Sequence, residues 1–109
     1  MDFAAGLLRL LESEWYGLYN QVCEGSGSRF DVAVEFVCAL GLEDRVRVHR
    51  ASSERFAEEY FAPRPASEQL TNLKLKQRGL SAMRDWRICL REYSQIYRDG
   101  LSHCAPVEL

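Results

Sequence analysis

No stretch of this sequence approaches the ~18 consecutive apolar residues that a membrane-crossing helix needs. Its opening, Met1-Asp2-Phe3, lacks the basic lead of a secretory leader. Together these absences predict a cytoplasmic protein with no membrane partner. There is no internal repeat and no low-complexity stretch. No Cys-x-x-Cys pair occurs: Cys23, Cys38, Cys89 and Cys104 are widely spaced. With two of them in apolar periodic stretches, the four read as free, buried thiols in a reducing compartment, with a disulfide framework or metal site as the alternative. An excess of positive charge is missing too. Fourteen basic residues face sixteen acidic ones, a net charge of -2. The large positive potential that drives general nucleic-acid binding is therefore absent, and no nucleic-acid partner is expected.

What remains, 109 residues of which 47% are hydrophobic, is the balance of one ordinary domain able to form a modest core. Its charge is unevenly placed. Residues 1–44 carry two basic and eight acidic groups, residues 45–98 twelve basic and six acidic, and the last eleven only Asp99 and Glu108. A basic second half suits an anionic ligand, and equally it solvates helix faces.

Apolar spacing sets out the elements. Phe3, Leu7, Leu10 and Leu11 predict a helix over 3–14. The chain starts almost inside this helix, which predicts a piece of a longer protein. Residues 17–23 alternate, with Leu18, Asn20 and Val22 on one face, and read as a short strand. After the turn Gly25-Ser26-Gly27-Ser28, Ser28 is placed to cap a helix over 29–40, with Asp31 three residues on and Gly41 as its stop. Arg45-Val46-Arg47-Val48-His49-Arg50 alternates strictly and reads as a second strand. The fold class expected is therefore α/β: a small two-stranded parallel βαβ unit, right-handed, surrounded by helices, a partial lobe of a larger fold. Ser52 or Ser53 opens a short helical turn through Glu59. Ala62-Pro63-Arg64-Pro65-Ala66 reads as an extended loop, since each proline lacks a donor and restricts its predecessor. A short helix over 72–78 ends at Gly79. Ser81 then caps a long helix from 82 to about 98, striped by Trp86, Cys89, Leu90, Tyr93, Ile96 and Tyr97. Residues 1–100 form one lobe and 101–109 a tail.

Several chemistries are excluded by spacing. Gly25-x-Gly27 follows a strand and precedes a helix, but the third glycine of a dinucleotide-binding turn falls on Phe30. A Tyr-x-x-x-Lys pair, which places an amine beside a phenol for proton transfer, is absent: Tyr16, Tyr19, Tyr60, Tyr93 and Tyr97 are followed four residues on by Asn20, Cys23, Arg64, Tyr97 and Leu101. His49 and His103 have no ligand-spaced neighbours, and adjacent His103-Cys104 is not the arrangement of a catalytic thiol. Glu58-Glu59 reads as a solvated helix end. The row Arg45, Arg47, His49, Arg50 could meet phosphates, or serve only to keep a strand edge soluble. Arg64 stands out. Its planar fork suits a diphosphate, and the flanking prolines limit the freedom it would lose on binding.

The succession of these motifs resembles a known family. Gly17-Leu18-Tyr19-Asn20, then Gly25-Ser26-Gly27-Ser28-Arg29-Phe30 and a helix stopping at Gly41, is similar to the stretch after the cofactor domain in dTDP-4-dehydrorhamnose reductases and related extended short-chain dehydrogenases (the NAD-dependent epimerase/dehydratase group). Ala62-Pro63-Arg64-Pro65-Ala66-Ser67, with Leu70, Asn72, Lys74, Leu75, Gly79 and Asp85-Trp86-Arg87, resembles that family's Arg-Pro to Trp-Arg signature. The resemblance covers residues 2–97. It implies the substrate-binding lobe of a sugar-nucleotide reductase or epimerase. It implies Arg64 on the diphosphate of a nucleotide sugar and Ser67 as an added hydroxyl. NAD(P) is implied for the parent protein, in a Rossmann domain this chain does not contain, so the chain alone would carry no catalytic residue and no cofactor. Apolar helices left exposed without that domain would favour self-association. Some relatives are regulatory rather than catalytic, so a non-catalytic interaction or regulatory module of the same family is the alternative.

Overall fold

A computed structural model describes residues 2–56 and 65–103 of the chain. The described residues form four α-helices, α1 (Asp2–Glu12), α2 (Arg29–Leu40), α3 (Leu73–Gln77) and α4 (Trp86–His103), and a 3-10 turn at Ser53–Phe56. The expected βαβ unit is not present. No strand forms among the described residues, and the one ladder contact is an isolated parallel bridge between Glu24 and Asp85. The reason lies in where the backbone groups of the two alternating segments go. Val22 gives its N–H to the Asn72 side chain at 2.8 Å, and Glu24 gives its own to Arg84 O at 2.9 Å. Arg45 and Val46 both donate back to Leu42 O, closing a turn behind α2. These donors go to other partners, the two segments form no ladder with each other, and without a ladder alternation alone makes no strand.

The helices follow their sequence signals more closely. α2 begins at a complete capping box: Ser28 Oγ accepts from Asp31 N–H, and Asp31 accepts from Ser28 N–H at 2.7 Å. It ends at Gly41, whose φ of 68° places it in the left-handed region. α4 starts at Trp86 rather than at 82. Asp85, not Ser81, opens it, since Asp85 Oδ1 accepts the Arg87 N–H at 2.9 Å. α2 and α4 pack together. Phe36 stands 6.0 Å from Tyr93 and 5.6 Å from Tyr97 between ring centroids. Arg91 pairs with Glu35 at 2.7 Å, and Arg98 donates to Ala39 O. Ser94, on the packed side of α4, is buried and satisfies its hydroxyl on Arg91 O.

α1 is attached differently. It is held by polar anchors and leaves its apolar face uncovered. Gln21 Nε2 donates to Phe3 O at 2.6 Å, and Gly6 is buried beneath that side chain, where a Cβ would stand 2.8 Å from Gln21 Nε2. Asp2 is clamped by Arg84. Meanwhile Phe3, Leu7, Leu8 and Leu11 are exposed, as are Trp15, Tyr16 and Leu18 beyond them. Among the described residues Leu75 is the one hydrophobic residue that is buried, 2% exposed. Helices usually hide such stripes; here the burial that normally dominates stability is concentrated in one small helix and the α2–α4 contact.

No helix among the described residues is long and apolar enough to cross a membrane.

Candidate functional site

The described residues form an open groove of about 500 Å³ between residues 22–27 and residues 68–76, with Trp86 also lining it. Asn72 builds it. This residue sits at the N-terminus of α3 yet does not cap that helix with its side chain. Instead the side chain turns to Val22, accepting its N–H at 2.8 Å and donating to its carbonyl at 2.7 Å, and donates a third bond to Glu24 Oε1 at 3.0 Å. It is 3% exposed, with its amide oxygen and both amide hydrogens engaged. Glu24 also pairs with Lys76 at 2.7 Å. The Lys76 ammonium, then the Asn72 amide, hold the Glu24 carboxyl below its ordinary range.

Trp86 ties the glycine-rich turn to α4. Its indole N–H donates to Ser26 O at 3.3 Å. A Cβ on Gly27 would lie 2.9 Å from Trp86 Cζ2, and one on Gly25 would lie 2.7 Å from Asp85 Oδ2. Gly25 has φ 82° besides. The two glycines therefore admit the indole and the Glu24–Asp85 bridge. Trp86 thus packs against the turn, and the Arg87 guanidinium lies 4.5 Å from its ring centroid.

Behind the groove is a four-group cluster. Arg84 pairs with Asp2 through Nε at 2.7 Å and Nη2 at 2.8 Å, and with Glu92 through Nη1 and Nη2, both at 2.7 Å. The Arg84 guanidinium holds the Asp2 carboxyl far below the usual carboxylate range and lowers Glu92 as well. Cys89 Sγ donates to Asp2 Oδ2 at 3.3 Å. Burial, reinforced by that carboxylate, pushes the Cys89 thiol up to about 11.

Of the two residues the sequence nominated, Ser67 is exposed beside the groove, where its Oγ accepts the Gln69 N–H at 3.5 Å. Arg64 lies outside the described residues, as do Glu58, Glu59 and Cys104. The row Arg45, Arg47, His49 and Arg50 is exposed as expected, though not on a strand, and Arg50 lies 4.4 Å over the Phe30 ring. Cys23, Cys38 and Cys89 are free thiols, but the expectation of full burial fails: Cys38 is exposed and the other two are half-buried. No group of three His, Cys, Asp or Glu residues is placed to hold a metal among the described residues. Sequence reasoning missed Asn72 as a tether and Arg84 as a hub. Only the placement of Asn72 just before a short helix hinted at more than a cap, and nothing local marks Arg84 among the twelve basic residues of 45–98.

No family model, no curated protein and no solved structure matches the chain.

Proposed function

We propose that this chain is the substrate-binding lobe of a sugar-nucleotide reductase or epimerase, working against an NAD(P)-binding domain that covers the face of α1. The observation that carries the reading is that face: Phe3, Leu8 and Leu11 are each more than half exposed, on a helix whose own anchors to this chain are polar. A contiguous apolar surface of this kind marks an interface. The resemblance in residue order supplies the identity of the covering domain. The Gly25–Gly27 turn and Asp85-Trp86-Arg87, two widely separated parts of that resemblance, meet at the groove. On this reading the hydride carrier belongs to the other domain. This chain contributes the groove, the Ser67 hydroxyl at its rim, and Arg64 for the diphosphate.

The test is a proton–nitrogen NMR titration of the full chain with dTDP and a dTDP-sugar, alone and with an NAD(P)-binding domain of the reductase class. The reading expects shifts at Arg64, Ser67 and residues 68–72, and broadening of α1 resonances when the domain is added. Leu8→Lys with Leu11→Lys should abolish the second effect and spare the fold. A folded chain that ignores the nucleotide sugar with the domain present would overturn the reading, and one that binds the domain through α1 yet ignores the nucleotide sugar would favour the non-catalytic interaction module.

A further inference from the structure

Two of the free thiols lie together across the groove's anchoring bridge. Cys23 immediately precedes Glu24, which gives its N–H to Arg84 O and accepts the Trp86 N–H at 3.1 Å. Cys89 stands one helical turn beyond Asp85, on whose carbonyl its own N–H rests at 3.3 Å. The parallel Glu24–Asp85 bridge thus brings two segments more than sixty residues apart side by side. Cys23 and Cys89 are near enough across this bridge to act on each other electrostatically. Both are half-buried, whereas Cys38 sits apart on the exposed side of α2.

We propose that Cys23 and Cys89 form a thiol pair that closes to an intramolecular disulfide under a disulfide oxidant of the glutathione class, locking residues 22–24 to the first turn of α4. Cys23 is the point of entry, because Cys89 is kept as a thiol by burial and by the Asp2 carboxylate. The Cys23 thiolate attacks one sulfur of the oxidant and releases one glutathione thiolate. Cys89 loses its proton and displaces the second glutathione from Cys23. Two protein thiols give up two protons and two electrons, and the oxidant leaves as two thiols. The new bond withdraws the Cys89 hydrogen bond from Asp2, which keeps Arg84 as its partner. It also fixes the wall of the groove that Val22 and Glu24 form.

The test uses the full native chain, incubated with oxidised glutathione, alkylated, digested with trypsin and read by mass spectrometry. The expected product has lost two hydrogens and joins peptide 10–29 to peptide 88–91. This link should exceed every other cysteine pairing by about tenfold in native buffer, with the preference vanishing in urea. Cys23→Ser and Cys89→Ser should each remove the link. In Cys89→Ser, Cys23 should retain glutathione, since the displacing thiol is gone. Stable glutathione adducts on both residues of the native wild type, or links to Cys38 in equal yield, would overturn the proposal.

Discussion

Replacing Asn72 with alanine should be among the most damaging single changes available in this chain. The substitution removes three hydrogen bonds, at 2.8, 2.7 and 3.0 Å. It strands the N–H and the carbonyl of Val22 in a part-buried place with no ladder to fall back on. An unmet buried backbone group costs about 1–3 kcal/mol. Val22 is only half-buried, so water recovers part of this, and the sum should be about 2–3 kcal/mol. A domain of ordinary size has about 5–15 kcal/mol in all, and one in which Leu75 alone among the described residues is a buried apolar side chain has little to spare. The assay is urea unfolding followed by far-ultraviolet circular dichroism. Asn20→Ala, at an exposed position two residues before Val22, is the control and should stay within about 0.5 kcal/mol. Asn72→Asp separates the roles. It keeps the acceptor for Val22 N–H but turns both donors into a carboxylate facing Val22 O and Glu24. Its cost at neutral pH should match or exceed that of alanine, and shrink as acid protonates either carboxyl. A loss for Asn72→Ala no larger than the control's would refute the tether.

Two further outcomes follow from the geometry. Asp2 and Glu92 both have carboxyls lowered in the folded state, so the stability they contribute is present above the ordinary carboxylate range, about pH 4, and is lost as pH falls through their depressed values. Carboxyl NMR should therefore find Asp2 still ionised at pH values where a free aspartate is half-protonated, and Arg84→Gln should bring its titration back up; an unchanged Asp2 titration in that variant would count against the clamp. Gly27→Ala places a methyl 2.9 Å from Trp86 Cζ2, which should displace the indole from Ser26 O and cost about 1–3 kcal/mol. In a Trp15→Phe background this appears as a red shift of the remaining tryptophan emission, and an unshifted spectrum would mean that the turn, not the indole, sets that approach.

The helices were legible because their signals are local. Ser28, Asp31 and Gly41 carry the ends of α2 within a dozen residues, and Leu75 sits in a five-residue helix bounded near Asn72 and Gly79. The two strands were misread because alternation records which side chains face inward and says nothing about which backbone lies alongside. In residues 17–23 the neighbour is a side chain fifty positions on, and in residues 45–46 it is the preceding turn. The start of α4 was misplaced for a related reason: Ser81 and Asp85 are both good caps, and the choice is made by the Glu24 bridge to Asp85, a long-range contact. The groove shares this character. Its glycines and Trp86 were visible as motifs, but their meeting was not, because it depends on closure between the two halves of the chain.

The anchors of α1 also fix an order of events. Arg84 and Cys89 follow Asp2 by 82 and 87 positions, and only Gln21 is near at hand. Until residues 84–89 have been made, the first helix, with Phe3, Leu7, Leu8 and Leu11 bare, has only the Gln21 bond to hold it among these anchors. α2 can cap itself as soon as its own residues are made, but its packing face also waits for Tyr93 and Tyr97. Residues 2–40 are thus committed late, and a chaperone or a neighbouring domain that meets the first helix early finds its apolar face uncovered among the described residues.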